Sequence, residues 1–168
     1  MTFAYLAILL TSFVLTLLRV SPRTLFIVAA FILIAAGVVL PQLPSLGGAG
    51  GRVFHDDFFV EEMGWLIVRS GLVAAVLALM LEGFHRLDLA PRRAGFTASY
   101  WLLAIGLCLP TVAERLVSSP RRWSEAEESL EVLGVVWKVG AVISLIGIAL
   151  FAILAIASVV ELLRRKAP

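Results

Sequence analysis

Charge is scarce in this sequence. Asp, Glu, Lys and Arg together make up 15% of its 168 residues, where a soluble domain carries about 25%. Histidine occurs only at positions 55 and 85, and cysteine only at 108. A single cysteine excludes an internal disulfide, and there is no CxxCH haem-attachment motif. Two histidines are too few for the usual transition-metal site. They also flank opposite ends of one apolar run, about 40 Å apart if that run is helical, so they cannot hold one haem b between them. No glycine-rich phosphate loop, HExxH or GxSxG pattern is present. Cys108 lies in an apolar run with no histidine beside it, a setting for packing rather than nucleophilic catalysis. A catalytic centre cannot be assembled from these residues, and an enzyme is the least favoured function class.

What remains is apolar. Hydrophobic residues make up 61% of the chain, and its mean hydropathy is +1.01. In water so much apolar surface would be costly, so lipid is the expected solvent and one integral membrane domain the expected organisation. The formal charge of +2 comes from twelve Arg and two Lys against twelve acids. Those charges cluster at the ends of apolar runs, which is no footprint for nucleic acid.

Five runs predict an all-α polytopic bundle with approximate spans 3–18, 24–40, 63–83, 97–117 and 133–163. A four-span arrangement, with the first segment flat or the first hairpin re-entrant, is the lesser alternative. The first run has no positive segment before it and no small-residue cleavage site after it, so it reads as a retained span. Val20-Ser21-Pro22-Arg23 forms a tight turn between the first two spans. PQLPSLGGAGG, at 41–51, is a connection with nothing to bury, and the aromatics Phe54, Phe58 and Phe59 suggest a segment at the bilayer surface before the third span. Pro110 interrupts the fourth span and should bend it. Ser124 with Glu127 forms a capping box, so the last helix begins near residue 125, outside the membrane.

Basic residues set the orientation. Arg19, Arg23, Arg86, Arg92, Arg93, Arg164, Arg165 and Lys166 fall on one side, and Arg52, Arg115, Arg121 and Arg122 on the other. By the positive-inside rule the N-terminus is outside and the C-terminus cytoplasmic, in a bacterial-type plasma (inner) membrane.

The charges inside or close to spans are the candidate functional residues. Arg69 stands seven residues after Glu62, and Lys138 seven after Glu131. That spacing puts each pair on roughly one helix face, two turns apart. Glu114, one turn past Pro110, is at a similar height. A charge in hydrocarbon is costly unless it snorkels, finds a partner or meets a ligand such as a lipid phosphate, a quinone carbonyl or an anion. Snorkelling is the plain expectation, and no obligatory cofactor is expected. His55, Asp56, Asp57 and Glu61 are the nearest approach to a metal cluster, a pattern solvated residues also produce. Glu82, His85 and Arg86 have the spacing of a local Glu–Arg helix pair.

Small residues mark the third run (Ser70, Gly71, Ala74, Ala75, Ala78) and the fifth (Gly140, Ser144, Gly147). In lipid such residues let helix backbones approach, within the chain or against a neighbour. The expected function is accordingly a non-catalytic structural or assembly subunit of a larger membrane complex. The alternative is a small transporter or channel-like protein, with a homo-oligomer as the alternative assembly, handling an anionic or lipid-like ligand near Arg69 and Lys138.

Overall fold

The computed structural model describes the backbone of residues 2–39, 56–87, 92–117 and 123–166, and the side chains of 6–39, 65, 67–87, 92–109 and 131–164. Its described residues form five helices and no strand. They are α1 (Thr2–Leu17), α2 (Pro22–Val39), α3 (Asp56–Arg86), α4 (Arg93–Val117) and α5 (Trp123–Lys166). Three helical stretches are long and apolar enough to cross a membrane: Pro22–Val39, Ile67–Arg86 and Glu131–Arg164. The described apolar parts of α1 and α4, Leu6–Leu17 and Arg93–Leu109, are shorter. This is a membrane-embedded helical protein.

α3 and α4 begin before their expected spans, and α5 begins at Trp123, close to the expected start near residue 125. α3 starts at Asp56, so Phe58 and Phe59, expected at the bilayer surface, belong to its first turns. α5 runs unbroken for 44 residues, through Gly134.

The turn between α1 and α2 is built from local hydrogen bonds. Val20 N–H donates to the Leu15 carbonyl and Arg19 N–H to that of Thr16, both at 3.0 Å, which is the Schellman arrangement. Its left-handed position, usually glycine, is held here by Arg19 at φ 56°. Ser21 caps α2, its Oγ accepting from Thr24 N–H at 3.4 Å, and Pro22 follows at the first helical position, where no N–H is needed.

Packing follows from which faces can approach. α2 and α4 meet at the centre with α1 against both, while α3 backs α2 and α5 backs α4. The α4–α5 seam is made of small residues. A Cβ on Gly106 would stand 2.6 Å from the Gly140 carbonyl oxygen, and one on Gly147 would stand 3.0 Å from the Leu103 backbone nitrogen. Ser99 Oγ donates to the Gly147 carbonyl at 2.8 Å in the same seam. Gly71 does the equivalent for α3, pressed on Leu33 and Ile34 of α2. Dispersion at short range thus holds both helix pairs.

An aromatic cluster joins the pairs at one end of the bundle. Phe26 of α2 meets Tyr100 of α4 edge-on at 5.0 Å and Phe151 of α5 at 5.8 Å. Phe96 lies 5.1 Å from Phe151 and 6.4 Å from Phe84 of α3. T-shaped contacts of this kind add specificity to burial. α1 is tied in by the buried hydrogen bond between the Ser12 and Tyr100 hydroxyls.

Candidate functional site

At the aromatic end of the bundle, α2 starts and α3 ends. The first turn of α2 carries Arg23 and the last turn of α3 carries Glu82 and Arg86. Arg23 Nη1 donates to Glu82 Oε2, and Arg86 Nε donates to Glu82 Oε1 at 2.9 Å. The Glu82–Arg86 pair is the one the i, i+4 spacing predicts. Arg23 is the addition, 59 residues away in sequence. One carboxylate between two guanidiniums leaves the cluster with a net positive charge. Arg86 keeps 78% of its side chain exposed, against 37% for Arg23 and 30% for Glu82.

From this cluster a groove runs along the α2–α3 seam. Its floor is small, formed by Ala30, Ala75 and Ala78, and its walls are Ile27 and Leu79. It is open along one side, with a cavity volume of about 480 Å³. A second, mostly apolar cleft with a cavity volume of about 40 Å³ separates α3 from α4, with Phe26, Ala29 and Leu33 of α2 as its floor. Tyr100, Cys108 and Ser70 supply its few polar atoms.

Two further arginines at this end serve the backbone. Arg93 Nη2 donates to the Val20 carbonyl at 3.1 Å, joining the start of α4 to the α1–α2 turn. Arg19 occupies the left-handed position of that turn. In sequence both register only as orientation charges.

The residues singled out by sequence are distributed differently. Arg69 is exposed on α3; Lys138 and Glu131 are exposed on α5. These helices are backed by different partners, α2 and α4, so the packing gives the two cations no common seam. Glu62 and Glu114 lie on α3 and α4, Asp56, Asp57 and Glu61 on α3, and the side chains of all five fall outside the described residues. His55 lies outside them altogether. Among the described residues no three His, Cys, Asp or Glu side chains group together as metal ligands. Cys108 is buried in α4, and His85 is exposed beside Arg86. Sequence reading missed Arg23 and the alanine floor as parts of one site; Ala75 and Ala78, seven and four residues before Glu82, were the available signal.

Comparison of the chain with models of protein families, with curated proteins and with solved structures finds no match.

Proposed function

We propose that this chain is a non-catalytic assembly subunit of a larger integral membrane complex, a five-span protein of a bacterial-type plasma membrane with its N-terminus outside and C-terminus cytoplasmic. The observation that carries the reading is the length of α5. Val139 to Val160 contains 22 residues without an acid or a base. At 1.5 Å per residue they span about 33 Å, already enough for the hydrocarbon core. The helix begins 16 residues before Val139, at Trp123, so about 24 Å of it stands beyond that span. Val132, Val135 and Trp137 on this portion are exposed. They lie at the outer end of the Glu131–Arg164 stretch, where an exposed apolar face beside the extramembrane part of the helix gains from a protein cover.

The small-residue stripes lend this reading less than their composition suggests, because Gly71, Gly106, Gly140 and Gly147 are used in contacts within the chain. The orientation rests on eight basic residues against four.

The experiment is gentle extraction from native membrane followed by intact-complex mass spectrometry. Stoichiometric larger partners are the expected result, with Val132→Ser and Val135→Ser together reducing their recovery at least fivefold. A free monomer or a homo-oligomer would overturn the reading. The alternative, a transporter-like protein taking an anionic or lipid-like ligand at Arg69 and Lys138, requires both cations at one water-accessible cavity. Lipid contact finds better support at the α2–α3 groove.

A further inference from the structure

We propose that the α2–α3 groove is a specific site for an anionic phospholipid, with one acyl chain lying over Ala30, Ala75 and Ala78 and the phosphate held by Arg23 and Arg86.

Three observations converge. The first is shape. Alanines from both helices let the α2 and α3 backbones approach, and they leave a floor between the more exposed Ile27 and Leu79. The resulting trough is narrow and apolar, the form a methylene chain fills with dispersion contacts on three sides.

The second is charge. Each guanidinium carries five N–H donors and directs one at Glu82. Glu82 sets the two arginines side by side and neutralises one of them, so the mouth of the groove offers planar donors with net charge of about +1. A phosphate diester carries one negative charge and acceptor oxygens suited to arginine. A zwitterionic lipid would bring its own cation to the same place.

The third is depth. From Arg86 back to Ala75 is eleven residues of α3, about 16 Å along the axis. Half of a 30 Å hydrocarbon core is about 15 Å. With the arginines at headgroup level, the alanine floor therefore ends near the middle of the bilayer. One leaflet's lipid fits this length. A helix of a partner or a second copy of the chain would gain little from a trough that stops there and ends in two arginines.

The test is native mass spectrometry of the full chain, released from nanodiscs containing equal phosphatidylglycerol and phosphatidylcholine. Wild type should retain one phosphatidylglycerol in at least fivefold preference to phosphatidylcholine. Arg86→Gln should reduce that preference to near unity, and Arg86→Lys should keep part of it. Arg86 is mostly exposed, so its replacement leaves the fold in place. Ala75→Leu should lower retention of both lipids by filling the trough. Arg164→Gln, at the same end of the bundle on α5, should retain the wild-type preference. Glycerol phosphate added in excess should fail to displace the lipid, since it has no chain to fill the groove.

Equal retention of the two lipids by wild type would overturn the proposal. So would an equal loss with Arg164→Gln, which would mark a diffuse surface charge, or displacement by glycerol phosphate, which would mark an anion site without lipid. Occupation of the groove by a second copy, seen as a dimer abolished by Ala75→Leu, would overturn it as well.

Discussion

Gly106 of α4 and Ser144 of α5 sit so close that a Cβ added to Gly106 would lie 2.7 Å from the Ser144 backbone nitrogen, with the Gly140 carbonyl oxygen at 2.6 Å. Both obstacles are backbone, so a side-chain rotation cannot relieve them. Gly106→Ala must push the helices apart, at a cost of about 1–3 kcal/mol. Gly134 on α5 has nothing within 4 Å of its Cβ position, and Gly134→Ala should be neutral or stabilising by up to about 1 kcal/mol through helix propensity. Unfolding in mixed micelles titrated with dodecyl sulfate measures both. Equal effects would show that the seam is looser than described.

The Ser12–Tyr100 hydrogen bond joins α1 to α4. A double-mutant cycle with Ser12→Ala and Tyr100→Phe should give a coupling of about 0.6–1.7 kcal/mol, the range for hydrogen bonds between membrane helices. Zero coupling would mean that the two hydroxyls do not bond one another in the membrane.

Arg19 sits at φ 56°, a conformation costing a residue with a Cβ about 1–2 kcal/mol. Arg19→Gly and Arg19→Ala remove the same charge but only the first relieves the backbone. The glycine variant should be the more stable of the two by about 1 kcal/mol in the same unfolding assay. If alanine is equal or better, the turn does not hold its left-handed residue in the bilayer.

Orientation is open to a direct chemical test. With Cys108→Ala removing the lone thiol, Arg92→Cys places a new one at an exposed position just before α4. It should react with a membrane-impermeant maleimide only in inside-out vesicles. Labelling in right-side-out cells would reverse the topology inferred from the arginines.

The sequence makes some of this arrangement legible and hides the rest for a definite reason. Apolar length predicts the helices in order, and i, i+4 spacing predicts the Glu82–Arg86 pair, because both are properties of one helix. Periodicity identifies a face but not the helix that meets it. The partner of Glu82 in α2 depends on α3 backing α2, while the carbonyl taken by Arg93 and the hydroxyl opposite Ser12 depend on α1 lying against α4. Nothing local in the chain specifies that. Arg69 and Lys138 stand out in sequence because charge is conspicuous in an apolar run. Ala75 and Ala78 stand out only as two of several small residues, and nothing in the sequence shows that they give the α2–α3 groove its floor. Their importance lies in the space they leave empty.

α1 meets α2 early but reaches α4 late. Ser12 and its partner Tyr100 are 88 residues apart, and at synthesis rates of about 5–20 residues per second α1 enters the bilayer some 4–18 s before that partner exists. During that interval the Ser12 hydroxyl has only its own helix backbone to bond, as Ser158 bonds the Leu154 carbonyl within α5. α1 is therefore held by α2 early and keeps an open face until α4 arrives. A nascent chain halted before α4 leaves it free to pair with a helix of another molecule instead.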